Sequence, residues 1–226
     1  MALLGQAALA MFWNIAPEMR REFEDWHSHE HFRERLSIPG FRRASRWTSA
    51  TGGEGCFQLY ELERYETLSS PAYLERLNAP TPWSRRMMPH HRDMIRCQCH
   101  VLESAGGIHA RHLLAIRLSP ADGRADQLRG ALRSLAAVLI DRPGFTGTHL
   151  LRHEAPAIAT TAEQKIRGGD RSADWILLVN GYDLREVEAI AAGELSPMTL
   201  TQIGAQSDSV SGIYTLSYAA LPTDVV

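Results

Sequence analysis

The chain has 226 residues, 44% of them hydrophobic and 22% charged, ordinary values for a globular protein. Its formal net charge of −2 argues against a general nucleic-acid binder, which carries a strong basic excess. Lys165 is the only lysine, and it sits in the polar stretch TTAEQKIRGGDRS, where little would desolvate an amine, so most Schiff-base chemistry is set aside as well.

The opening MALLGQAALAMFWNIA carries no Lys or Arg ahead of its apolar run and is too short to span a bilayer as a helix. It reads as a buried first strand, ALAMFWNI. PEMRREFEDWHSHEHFRERLS follows as a helix, with Pro17 in its first turn and Glu18 near that end. IPGF closes the helix and starts the strand GFRRASRWTSA. TGGEG is a turn, and CFQLYELE is the next strand. SSPAYLERLN is a short helix, TPWSRRMMPHHRD a connector, and MIRCQCHVLE the last strand before Gly106 and Gly107. That order is β-α-β-β-α-β, the ferredoxin-like unit.

The same order then returns. ARHLLAIRLS is a strand, RADQLRGALRSLAAVLID an amphipathic helix, RPGFTGTHLLRHE and DWILLVNGYD strands, DLREVEAIAAG a helix and SVSGIYTLSYAAL the final strand. PGF recurs at 39–41 and 143–145, each time just after the main helix. Such a unit has helices on one sheet face only, and two copies can cover each other's bare faces. The expected fold is α+β: two tandem halves, 1–105 and 106–226, forming one α/β barrel of the dimeric type within a single chain. The odd count of three cysteines, Cys56, Cys97 and Cys99, shows no C-x-x-C spacing, which suits a reduced, cytoplasmic setting.

Aligning the two PGF triplets sets His27, Glu30 and His31 opposite Ala131, Ser134 and Leu135. The first helix therefore carries something that the fold does not require. At about 100° per residue, Met19, Phe23, Trp26 and Glu30 share one narrow face. His27 and His31 lie on its edge, and His29 points to the other side. A carboxylate in the apolar stripe must be paired or open to a cavity, and His27 is within reach of it. Such a pair would move both pKa values toward neutrality and serve as an acid and base. The competing reading ends the helix near Glu30 and leaves the cluster as a wet C-terminal turn.

These residues resemble a known family. The run Asp25-Trp26-His27-x-x-Glu30-His31, followed by Glu34-Arg35-Leu36-x-Ile38-Pro39-Gly40-Phe41-x-Arg43-Ala44-x-Arg46-Trp47, is similar to EthD-like proteins of the dimeric α/β-barrel superfamily. So are LYELE, SPAYL and NAPTPWSRRMMPH. The resemblance covers residues 8–103; the second half matches by element order and PGF alone. It implies a cavity between paired sheets, a setting in bacterial degradation of aromatic or ether-type compounds, and at most one histidine site per chain.

Other constellations are weaker. His27 and His31 have the i, i+4 spacing of two metal ligands, with a third needed from Glu30, His90, His91 or His100, and H-E-x-x-H is absent. On GFRRASRW, alternation puts Arg42 and Arg46 on one face and Phe41, Arg43 and Trp47 on the other. Gln58 and Tyr60 share a face of CFQLYELE, as do Arg96, Gln98 and His100 of the last strand. An arginine with Tyr and His in a barrel suits an anionic or phenolic ligand. Trp83 could cap a cavity with Met87 and Met88. No G-x-S-x-G, Walker A or G-x-G-x-x-G occurs, which sets aside serine hydrolases, NTPases and classical dehydrogenases.

The function expected is a cofactor-independent enzyme of isomerase, decarboxylase or monooxygenase type on a small aromatic or organic-acid substrate. His27 is the acid or base, oriented by Glu30 with His31 beside them, and Arg46, Tyr60, Trp83 and His100 hold the substrate. No metal, cofactor, nucleic acid or membrane enters this reading, and the outer surfaces of the barrel are free to form a homodimer. The alternatives are a non-catalytic accessory or ligand-binding protein, and a haem- or metal-binding barrel.

Overall fold

A computed structural model describes residues 2–225. Eight antiparallel strands close into a barrel in the cyclic order β1-β3-β2-β8-β5-β7-β6-β4. In chain order these are β1 (Ala7–Asn14), β2 (Phe41–Ser49), β3 (Gly55–Leu62), β4 (Arg92–Gly106), β5 (His112–Leu118), β6 (Phe145–His153), β7 (Trp175–Gly181) and β8 (Val210–Ala220). The ring is two four-strand runs of equivalent order, β4-β1-β3-β2 and β8-β5-β7-β6, joined at β2–β8 and β4–β6. This is the α+β barrel of two ferredoxin-like halves that the element order predicts.

The helices lie outside the ring. Between β1 and β2 run α1 (Arg20–Trp26), a π-helical turn (His27–His31) and α2 (Phe32–Leu36). Then come α3 (Pro71–Asn78), α4 (Pro82–Met87), α5 (Ala125–Leu139), α6 (Ala162–Arg167), α7 (Leu184–Ala192) and α8 (Pro197–Ile203). Alternation along each strand separates an interior from a helix-facing side. The interior is apolar and draws on both halves: Ala8, Ala10, Phe57 and Leu59 from one, Leu113, Leu151, Ile176 and Leu178 from the other. The helix-facing sides form two further cores, one around Leu9, Trp13, Phe23, Trp26, Phe32 and Tyr60, the other around Leu114, Ile116, Leu132, Leu139, Leu177 and Val179.

PGF has a mechanical role. Gly40 and Gly144 both hold positive φ, at 95° and 96°, where the chain turns from helix into strand. A Cβ at Gly144 would meet the Glu186 side chain at 2.7 Å, and one at Gly40 would meet Thr67 at 2.6 Å. Left-handed backbone in a tight approach selects glycine twice.

Some local expectations need correction. The TPWSRRMMPHHRD connector contains α4, and α8 follows α7 in a stretch given no element; the polar stretch around Lys165, which reads as a short helix end and loop, forms α6 over residues 162–167. In all three a Ser or Thr caps the first turn: Thr81 accepts from Ser84 N–H, Thr161 from Gln164 N–H, and Ser196 from Thr199 N–H. Pro82 and Pro197 then start helices rather than break them. On β2 the pairing with β3 slips between Phe41 and Arg43. This bulge moves Phe41 to the helix-facing side with Ala44, opposite the face expected for it, while Trp47 joins the interior. The helix also does not end at Glu30, because the π turn carries it through to Leu36.

Candidate functional site

The π turn inserts an extra residue into the winding just where the histidines lie, a distortion that recurs at functional positions. It turns His27 and His31 together toward the sheet, both buried, with their rings stacked at 5.4 Å and 18°. One turn on, α2 adds the buried Arg35. Opposite them the helix-facing side of the sheet presents Leu9, Met11 and Trp13 from β1, Gln58 and Tyr60 from β3, and Met94 and Arg96 from β4. Tyr73 of α3 and His91, after the turn that follows α4, close one flank. Glu163 and Arg167 of α6, which packs against α3 and the turn before His91, complete the lining, so the second half of the chain finishes a site built on the first. The free space among these side chains is about 30 Å³ and opens partly to solvent, so a ligand larger than water needs the flanking helices to shift.

The bonds that hold this lining are few. His27 Nε2 and Gln58 Oε1 are 2.9 Å apart. Arg35 Nη2 donates to Glu163 Oε1 in a buried ion pair, and Arg96 Nη2 donates to the Tyr73 hydroxyl at 2.8 Å. Arg167 donates to both oxygens of Asp170 at 3.0 and 2.9 Å and lies 3.6 Å from Glu163. Six buried side-chain atoms of lining residues have no partner: Trp13 Nε1, His27 Nδ1, His31 Nδ1, Arg35 Nη1, Gln58 Nε2 and the Tyr60 hydroxyl. Buried polar groups are normally satisfied, so this concentration in one place marks a site built for a ligand or for bound water.

The electrostatics favour neutral bases beside cations. Burial, then the positive charges of Arg46 and His91, hold the His27 imidazole well below its ordinary value. Burial and Arg35 do the same for His31. Burial and Arg167 bring His91 down to about 3. Burial drives the Tyr60 hydroxyl upward, against the pull of Arg35, so it stays a donor. The expectation that His27 titrates near neutrality is therefore corrected: it has no carboxylate beside it and sits in a cationic, dehydrated place. With Nε2–H donating to Gln58, Nδ1 keeps its lone pair.

Of the residues that the sequence singled out, His27, His31 and Tyr60 line this cavity. Glu30 does not. It accepts from Trp26 Nε1 at 3.1 Å and Thr81 Oγ1 at 2.5 Å, tying the helix to the start of α4, and Gln58 takes the place beside His27 that was expected for it. Arg46 shares the helix-facing side but spends its guanidinium on Glu24 O and Ser28 Oγ at 3.2 Å and on Ser217 Oγ at 3.3 Å. Trp83 is half-buried and donates to Glu22 at 3.2 Å. His100 stacks on Tyr65 at 4.1 Å and faces Glu154 at 3.4 Å, away from the cavity. His29 turns outward to Asp25 O, as its angular position predicts. Gln58, on the face shared with Tyr60, and Arg96 and His91, which the sequence offers as a strand-face and a ligand candidate, line the cavity too; Arg35, Tyr73, Glu163 and Arg167 carry no local signal of it. Among the described residues no three His, Cys, Asp or Glu side chains come together as a metal site, and no helix is long and apolar enough to cross a membrane.

No family model matches the chain, and no curated protein sequence matches it. Solved structures do. An anthrone oxidase-like protein superposes with a TM-score of 0.69 at 11% identity, covering 100% of this chain and 98% of that one. A candidate monooxygenase from Fusobacterium nucleatum gives 0.62 at 6% identity, covering 96% and 95%. A candidate monooxygenase from Lactobacillus acidophilus gives 0.60 at 11% identity, covering 96% and 97%. At such identities the likeness shows the fold, a ferredoxin-like dimeric α/β barrel, and no more.

Proposed function

We propose that the chain is a small-molecule enzyme of bacterial catabolic or tailoring metabolism, EthD-like in its first half, that works without a cofactor. The two halves are taken as 1–105 and 106–226. The observation that carries the reading is the set of unpartnered polar atoms on residues around one cavity. Among them Arg35 Nη1, Gln58 Nε2 and the Tyr60 hydroxyl are donors without an acceptor, and His27 Nδ1 is a lone pair without a donor. Donors of this kind, fixed in a dry site, stabilise negative charge that develops on a substrate oxygen. A neutral imidazole beside them takes the proton whose loss creates that charge. The substrate is a small carbon or oxygen acid, aromatic or carboxylic, and its conjugate base is held by Arg35, Gln58 and Tyr60. Isomerisation, decarboxylation and oxygenation all pass through such an anion, and the oxidase-like and monooxygenase names of the structural neighbours support the last of these.

Solvent-deuterium incorporation tests the reading without knowledge of the final product. A panel of phenols and of α- and β-keto acids is incubated in D2O and followed by proton NMR. Exchange catalysed by the protein, lost by about 10²-fold or more in His27→Ala with affinity retained, supports it. Exchange equal in His27→Ala and the unaltered protein, or absent across the panel, would sink it.

A further inference from the structure

The barrel interior points an arginine toward each of its ends, and the two are matched differently. Arg43 of β2 is 3% exposed, and its Nε and Nη2 donate to the two oxygens of Glu61 at 2.6 and 2.8 Å. That end is filled by the loop after β4, with Ile108 fully buried and His109 Nε2 2.7 Å from Ser45 Oγ. At the opposite end Arg117 of β5 follows Leu113 and Ala115 along the inward face. Its guanidinium carbon lies 5.1 Å above the Phe12 ring. Among the described residues no carboxylate pairs with it, and the groups that act on its charge are Tyr214, Cys97 and Arg171.

Arginine cannot shed its charge to relieve partial burial, so an inward guanidinium needs an anion or water. The surroundings of Arg117 offer a ligand more than water. Phe12, Phe57 and Tyr214 form an aromatic floor with centroids 4.7 and 5.9 Å apart along the series. Space opens on both sides of the arginine: about 220 Å³ toward Phe12, Gly55 and Tyr214, and about 470 Å³ toward Ser119, Asp174 and Asp208. Asp93 at the edge already accepts from Asn14 at 3.1 Å and lies 4.0 Å from Arg171. Arg171 lines both spaces, loosely matched by Asp93, so Asp174 and Asp208 leave the outer part of this mouth with an excess of negative charge, while its inner part is cationic and aromatic.

We propose that this mouth of the barrel is a second ligand site, distinct from the cavity under the helices, that takes a planar aromatic monocarboxylate. The carboxylate meets Arg117 in the paired geometry that Glu61 already adopts on Arg43. The ring lies against Phe12 and Tyr214. The acidic rim repels a second carboxylate on the far side of the ring, so the site favours monoanions over dianions. Trp13 lines both this mouth and the helix–sheet cavity and forms a wall between them.

Titration of the whole chain with benzoate, followed by amide NMR at Gly55 and Gly212, tests this. Saturable shifts at these two glycines are expected, with affinity weakened about tenfold or more by Arg117→Gln and less by Arg117→Lys. Benzamide and terephthalate should both bind more weakly than benzoate. Melting curves of both variants check that the fold is kept. The proposal is overturned if no saturable shift develops with benzoate on the order of 10 mM, if Arg117→Gln binds benzoate as the unaltered chain does, or if the shifts map to Gln58 and Tyr60 instead.

Discussion

The two helix–sheet layers of this barrel are built on one plan and filled with opposite chemistry. Through the PGF offset, His27, His31 and Arg35 answer to Ala131, Leu135 and Leu139 of α5. Strand pairing extends the comparison. Leu9 and Met11 of β1 stand opposite Tyr60 and Gln58 of β3, while Leu114 and Ile116 of β5 stand opposite Val179 and Leu177 of β7. Beside Met11 lies Arg96 on β4; beside Ile116 lies Ser211 on β8. The second layer closes as an ordinary core around Leu132, Leu139, Leu177 and Val179. The first buries two arginines, two histidines, a tyrosine and a glutamine in the same layer. Burial of that many polar groups is costly, and the second half shows that the architecture stands without it. The first layer therefore carries polar groups that the architecture does not require.

The comparison breaks most readily at the buried ion pair. Arg35→Ala leaves Glu163 of α6 without its nearest charge partner inside the protein. Removing one member of a buried pair costs about 3 to 5 kcal/mol, to be read from urea unfolding. Replacing both together, Arg35→Leu with Glu163→Leu, should recover most of that loss and bring the first layer closer to the second. A cost under about 1 kcal/mol for Arg35→Ala would mean that the pair behaves as a surface contact, and the contrast between the layers would lose its energetic basis.

Acid should separate the layers next. His91 has its pKa lowered to about 3 in the folded protein and titrates near 6.5 when unfolded. Between those values the unfolded chain binds the additional proton, so the stability this group lends is present above pH 6.5 and lost as pH falls toward 3. At about 1.4 kcal/mol per pH unit, His91 alone accounts for about 2 to 3 kcal/mol between pH 6.5 and 4. His27 and His31 act in the same direction. His149, inside the barrel and lowered to about 4 by burial, adds a share that belongs to neither layer. His91→Phe should flatten the pH dependence of the melting temperature by its own share. An unchanged slope would place His91 in water.

Much of this layer was legible in the sequence, and the failures have physical causes. The element order, the closed barrel and the two PGF turns follow from patterning, the last because Gly40 and Gly144 occupy backbone that other residues avoid. His27 and His31 stand out because their counterparts are apolar. Helical angle alone misplaces Glu30: the π turn shifts that angle, and Thr81 then captures the carboxylate. Arg46 failed for a related reason: its face was foreseen, but not the backbone and serine acceptors that occupy it. Arg35, in a row of charged residues on α2, carries no local sign of burial; its partner Glu163 lies 128 positions away. No local pattern reports that contact. Thr161 and Gln164, a capping box followed by Gly168 and Gly169, would have revealed α6 itself.

His31→Leu tests whether one layer can be rewritten as the other. It installs the residue of the second half at position 135 and removes a buried, unpartnered Nδ1. The leucine fills comparable space against Trp26, whose ring lies 4.5 Å from that of His31. Stability should rise by about 1 kcal/mol, since an unmet buried polar atom costs about 1 to 3 kcal/mol and some packing on the neighbouring ring is lost. Deuterium exchange should fall at the same time. A gain in stability with full activity would show that His31 is only a relic of the repeat.

The smallest effect on folding is the most discriminating for function. Tyr60→Phe deletes one hydroxyl that no well-formed hydrogen bond holds among the described residues, although the Gln58 side chain lies beside it. Its ring contacts with Phe32 at 5.8 Å and Phe41 at 5.4 Å do not involve that oxygen, so the core around it is unchanged. If the hydroxyl is merely stranded in the core, the variant gains a few tenths to about 1 kcal/mol and loses no activity. If it is held for an anion, stability changes just as little, but the affinity for that anion drops by about 1 to 2 kcal/mol, roughly five- to thirty-fold. Urea curves cannot separate the two cases, and exchange kinetics with the best member of the panel can. Val179 marks the same position in the second layer, where the fold has already done without the hydroxyl. A loss of activity in a variant as stable as its parent would therefore assign the Tyr60 oxygen to the ligand and not to the barrel.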